Sequence, residues 1–201
     1  MKSFLRLASI LFHPLWMPLL GSTLYFWITP KFYSSPVVAI DLLAVFILTV
    51  FVPFLFLFIL KTSGFIQSLH LKTIEERRLP LLFFCIITTC ILNYVLNRFH
   101  YIELYYFFTG ILFSGLACFI LSIFKVKISL HVLGISGLCM FIIALSIFYQ
   151  SNLLFLIAFL LFAIGWTASS RLEAKAHSNI EIILGLFVGV FPQLILVQYW
   201  L

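Results

Sequence analysis

Apolar runs follow one another almost without interruption along this chain, and they dictate the fold class. A membrane-crossing helix needs about 20 predominantly apolar residues. Runs of that kind extend from Leu7 to Thr29, Val37 to Leu60, Pro80 to Asn97, Leu104 to Phe124, Leu130 to Tyr149, Leu153 to Ser169 and Ile180 to Leu201. The third and sixth are short, so the expectation is six to seven spans. The runs are continuous rather than alternating, which argues against an outer-membrane barrel. Of 201 residues, 64% are hydrophobic and only 9% charged, against about 25% charged in a soluble domain. A soluble enzyme, a disordered region, a coiled coil and a disulfide scaffold are excluded on that ground. The expected fold class is all-α, a polytopic membrane helix bundle forming one integral-membrane domain over 1–201. The first run is read as a span and not as a cleaved signal peptide, because it is too long and no small-residue cleavage site follows it. Cys85, Cys90, Cys118 and Cys139 sit inside apolar runs without Cys-x-x-Cys spacing, and read as small buried hydrophobes.

The polar connections sort onto two faces. Ten of the twelve Lys and Arg residues fall on one: Lys2, Arg6, Lys61, Lys72, Arg77, Arg78, Lys125, Lys127, Arg171 and Lys175. Only Lys31 and Arg98 fall on the other. The net charge of +6 therefore lies in short loops beside apolar spans, where it sets topology or meets anionic headgroups; nucleic acid is not an expected partner. The positive-inside rule accounts for Lys and Arg on that face. It does not account for His70, His131, His177, Ser129 and Ser170, which gather there too. An anion site at the membrane surface accounts for both.

Three segments carry that second reading. Ser170 to Glu181 places His177 and Glu181 four residues apart, on one face of a helix. A carboxylate there takes the imidazole Nδ1–H and leaves Nε2 as a nucleophile, while Arg171 offers a donor fork for phosphate oxygens. Solvated surface is the plainer reading of such a pair. Lys127 to His131 brings an ammonium, a hydroxyl and an imidazole together before the fifth run; Ser129 serves equally well as a helix cap. Lys72 to Pro80 brings three cations to the start of the third run, where Pro80 suits a first helical turn and Glu75 and Glu76 are placed to neutralise them.

Together these segments resemble the type 2 phosphatidic acid phosphatase superfamily of membrane lipid-phosphate phosphatases. Its motifs are Lys-x6-Arg-Pro, Pro-Ser-Gly-His and Ser-Arg-x5-His-x3-Asp, in that order. The third is matched by Ser170-Arg171-x5-His177-x3-Glu181, with Glu for Asp. The second is reduced to Ser129-x-His131, with Ile128 for Pro and Leu130 for Gly. In the first, Lys72 is followed by Arg77 and Arg78, and Leu79 separates Arg78 from Pro80. The motif-bearing core runs from about 61 to 201. Two apolar runs separate the first two motifs here, where the family usually holds both in one connection.

The resemblance implies an integral-membrane phosphatase acting on a lipid phosphate or diphosphate of the phosphatidate, phosphatidylglycerophosphate or polyprenyl diphosphate class. His177 would attack phosphorus and form a phosphohistidine, Glu181 would orient it, and His131 would protonate the leaving alcohol. Lys72, Arg77 or Arg78, Ser129 and Arg171 would hold the phosphate oxygens. No metal and no cofactor is implied. The expected partners are that substrate and membrane lipids, and the expected location is a bacterial inner membrane. Leaving out Lys72, Arg77, Arg78 and Arg171 as site residues, six cations against two still put this face in the cytoplasm, whereas the family often works on the outer face. The alternative is a non-enzymatic transporter, channel or lipid-binding scaffold whose basic face only sets orientation.

Some polar residues stand outside the motifs. His13, followed by Pro14, lies inside the first run and is expected to satisfy a carbonyl freed by the proline. Asp41 is expected at headgroup level. Asn93, Asn97, Arg98 and His100 are expected at the interface. Gly185 and Gly189 form a small-xxx-small pair on the last run, suited to close helix packing.

Overall fold

The computed structural model describes residues 2–69, 71 and 73–201, with the side chains of all of these except Lys2 and Ser3. Among the described residues the chain is all helical: α1 (Lys2–Leu11), α2 (Met17–Ile28), α3 (Ser35–Thr62), α4 (Ile74–Tyr94), α5 (Ile102–Ile123), α6 (Leu130–Phe148), α7 (Leu154–Glu173) and α8 (Asn179–Val197). Six of them, α3 to α8, are long and apolar enough to cross a membrane. The chain is thus the expected polytopic helix bundle.

The first expected span is broken. A 3₁₀ turn, Pro14–Trp16, joins α1 to α2, and the two arms are bent by 41°. Pro14 explains the break, because proline has no amide hydrogen and clashes with the preceding turn. His13 caps the 3₁₀ turn, its Nδ1 accepting from the Leu15 amide at 3.4 Å. It thus serves the Leu15 amide at the break. The short amphipathic α1 lies against α7, with Phe4 stacked on Trp166 at 4.4 Å and the Trp166 indole donating to the Phe4 carbonyl at 3.1 Å.

Helix α4 starts earlier than its apolar run. Thr73 caps it: the Glu76 amide donates to the Thr73 hydroxyl, and the Glu76 carboxylate accepts from the Thr73 amide, the reciprocal arrangement that fixes a helix start. Pro80 therefore sits in the second turn, inside the helix, and Glu76 spends its charge on the cap and on the Gln67 amide at 2.6 Å. In α3 the residues Ile47–Phe51 form a π turn just before Pro53. The Val52 amide reaches back to Ile47, which re-registers the ladder ahead of a residue that cannot donate.

Helix α6 is the centre of the bundle. Ile135, Leu138, Ile142 and Leu145 form one stripe, each at most 1% exposed, at the three-to-four spacing of a buried helix face. Helix α8 lies against it through Gly185 and Gly189. A Cβ on Gly185 would stand 2.7 Å from the Ser129 carbonyl, and one on Gly189 would collide with the Leu133 carbonyl and the Ser136 hydroxyl. The expected close packing is present, and its partner is α6.

At the end of the bundle away from the motifs, Glu103 is fully buried. Its carboxylate accepts from Lys31 Nζ at 2.6 Å, the Tyr149 hydroxyl at 2.7 Å and the Tyr25 hydroxyl at 3.0 Å. Nearby, Tyr101 donates to Asp41 at 2.6 Å.

Candidate functional site

Helix α7 ends in a turn that folds the third motif onto itself. Lys175 adopts φ 50°. The Ala176 amide donates to the Arg171 carbonyl at 3.1 Å and the Lys175 amide to Leu172 at 2.9 Å, the paired bonds of a Schellman stop. Lysine takes the left-handed position where glycine is usual. The turn brings Arg171, on the last turn of α7, beside His177 at the entry to α8. Ser178 then caps α8 through the Glu181 amide at 3.4 Å, and Glu181 turns back toward His177. The two side chains meet at 2.6 Å, Nδ1 to Oε2.

The second motif is tied to the third through the backbone. The Ser129 amide donates to the Glu181 carbonyl at 3.0 Å, and Lys127 Nζ donates to Ala176 at 3.0 Å. These bonds fix the start of α6, and with it His131, against the start of α8. Ser129 occupies the cap position of α6, yet its hydroxyl makes no cap bond. That hydroxyl is buried and has no hydrogen-bond partner among the described residues.

A single cavity of about 460 Å³ gathers the polar groups. Arg77, His131, Arg171 and His177 all line it. Arg77 is braced by the Leu71 and Ile128 carbonyls, each at 3.0 Å. Arg78 points elsewhere: its guanidinium binds the Ser122 carbonyl at 3.1 and 3.3 Å and closes the end of α5. Of the residues singled out from sequence, His177, His131, Arg77 and Arg171 therefore share one space, with Glu181 behind His177. Arg78 and Ser129 do not line it. Lys72 and His70 lie outside the described residues.

Burial pushes the His177 imidazole down to about 4, with Arg77 and Lys127 adding to the effect and the Glu181 hydrogen bond opposing it. At neutral pH the ring is uncharged. With Glu181 taking the Nδ1 proton, the Nε2 lone pair is left for attack. Arg171 Nε is buried and unpartnered among the described residues, and a buried N–H of that kind is costly unless an acceptor arrives. Beyond the cations the cavity wall is mostly apolar, with Phe83, Phe84, Phe107 and Leu138 among its lining, and Gln193 also borders it.

The broken first span also lines the cavity, and two of its polar residues there, Ser9 and His13, belong to no motif. Ser9 accepts from Arg171 at 3.3 Å and bonds the Ser170 hydroxyl at 2.7 Å. His13 meets His131 edge to face. Comparison with family models, with curated proteins and with solved structures finds no match.

Proposed function

We propose that the protein is an integral-membrane phosphatase that hydrolyses a lipid phosphate or diphosphate through a phosphohistidine. The observation that carries this reading is the cavity shared by His177, His131, Arg77 and Arg171, with Glu181 bonded to His177. A nucleophile held by an acid partner, a second imidazole and two guanidiniums are the groups a metal-free phosphoryl transfer asks for. The apolar remainder of the cavity suits a hydrocarbon chain. An all-helical bundle suits a bacterial inner membrane, which we propose as its setting.

In this mechanism Arg77 and Arg171 hold the non-bridging phosphoryl oxygens, and the unpartnered Nε of Arg171 gains its acceptor. Nε2 of His177 attacks phosphorus. The P–N bond forms as the bond from phosphorus to the lipid oxygen breaks, and His131 relays to that oxygen the proton that the phosphate monoanion carries in. Glu181 stabilises the positive ring of the phosphohistidine. Water then attacks phosphorus and passes a proton to the neutral His131, which hands it to the departing phosphate. The P–N bond breaks, inorganic phosphate leaves, and both imidazoles return to their starting states.

The test is phosphate release by the purified protein from a panel of phosphatidate, phosphatidylglycerophosphate and polyprenyl diphosphate, repeated with His177→Ala and with added vanadate. Release that is abolished by the substitution and blocked by vanadate is expected. Release unaffected by His177→Ala refutes the reading.

A further inference from the structure

We propose that the break in the first span belongs to the reaction chemistry: His13 positions the imidazole of His131 for proton donation. The inference rests on the phosphatase reading. The two rings lie 5.1 Å apart between centroids with their planes at 82°, and both line the cavity.

Three features hold His13 there. Pro14 follows it in the break between α1 and α2 and fixes the direction of the chain. The Leu15 amide donates to Nδ1, which sets the ring's orientation and leaves its proton on Nε2. Gly134, one turn beyond His131 on the same face of α6, lets the break come close. A Cβ there would stand 2.9 Å from Met17 Cγ and 3.5 Å from Pro14 Cα. Just before the break, Ser9 performs the matching service for Arg171, accepting its N–H at 3.3 Å.

His131 is otherwise faced by Arg171, by His177 and by the backbone of Ser9. A general acid must sit within about 3 Å of the oxygen it protonates. An aromatic edge against the ring limits its rotation. His13 is thus a positioning residue acting through His131, and its effect belongs to the transition state alone.

The leaving group provides a readout that a purely structural role would not move. Phosphatidate expels an alkoxide that needs the proton, whereas p-nitrophenyl phosphate expels a phenolate that does not. His13→Asn keeps an oxygen acceptor for the Leu15 amide, asparagine being a strong cap residue, and removes the ring. With the full-length protein in detergent, His13→Asn is expected to slow single-turnover release of the alcohol from phosphatidate about 10- to 100-fold, and to leave single-turnover release of p-nitrophenol within about twofold. His131→Ala should show the same selectivity in this first step, while its later role toward water serves both substrates alike. Equal first-step losses on both substrates, or no loss on either, overturn the assignment. His13→Phe keeps an aromatic edge without the acceptor, and carries the test where His13→Asn does not fold. It should turn over both substrates in near wild-type proportion, and a selective loss on phosphatidate overturns the proposal. Wild-type protein inert toward both substrates refutes the phosphatase reading itself.

Discussion

Nδ1 of His177 and Oε2 of Glu181 stand 2.6 Å apart across the first turn of α8. The carboxylate is anchored because its own amide is held by Ser178 and its carbonyl by Ser129. Glu181→Gln leaves these backbone ties in place and replaces the charge that steadies the imidazole. Phosphate release is expected to fall roughly 100-fold or more, with the thermal melt little changed. Retained turnover in Glu181→Gln would remove the carboxylate from the mechanism.

In the proposed mechanism the depressed His177 sets the acid side of the pH profile. A ring that protonates near 4 keeps its lone pair above that pH and loses it below. The rate is therefore expected to fall as pH drops through about 4, and to show no nucleophile titration near 6.5, the ordinary histidine value. Lys127→Met removes one of the depressing cations and should move this limb to higher pH. A limb that stays put in Lys127→Met counts against the electrostatic origin of the shift.

The adjacent arginines separate cleanly. Arg77 faces the cavity and Arg78 closes the end of α5. Arg77→Gln should weaken vanadate inhibition at least tenfold, the effect of losing a charge-assisted phosphate contact. Arg78→Gln should leave inhibition unchanged and cost about 1.5–3 kcal/mol of stability through lost bonds from a charged donor. The reverse pattern would place the anion on Arg78.

Glu103 ties the far end of the bundle. Removing it takes away the carboxylate on which Lys31, Tyr25 and Tyr149 converge, and leaves the Tyr149 hydroxyl without an acceptor. Glu103→Ala is expected to cost roughly 3 kcal/mol, read as a lower melting temperature, while the surviving folded fraction retains its specific activity. Loss of specific activity in folded Glu103→Ala would show that the two ends are coupled.

Helix positions were legible in the sequence because bilayer thickness leaves a length signal that nothing else in a chain imitates. The third motif was legible for a similar reason, since Arg171, His177 and Glu181 lie within one turn–helix unit whose spacing fixes their relation. What crossed between helices was not. Arg77 and Arg78 differ by about 100° around α4, and only the packing of α5 decides which of them faces the cavity. Ser9 was overlooked, and His13 was read only as serving a carbonyl beside Pro14, because a run of apolar residues through Leu7 to Thr29 reads as one helix. The His13-Pro14 pair was the available signal of a break. The burial of Glu103, in the first turn of α5 beside a loop, leaves no signal of its own in the sequence, although Lys31, one of only two cations on that side, marks the partner it needs.

The backbone bond from Ser129 to Glu181 has a mechanical corollary. His131 and the His177–Glu181 pair, the proposed proton donor and nucleophile, stand at the starts of α6 and α8, which are clamped glycine-to-backbone along a common seam, while α3 presents most of its surface outward. Strain from a bilayer that is too thick or too thin is relieved by tilting helices, and the loosely held outer ones yield first. The distance between the two imidazoles is thereby insulated from the lipid composition around it, and reconstitution into short- and long-chain vesicles should leave that geometry intact.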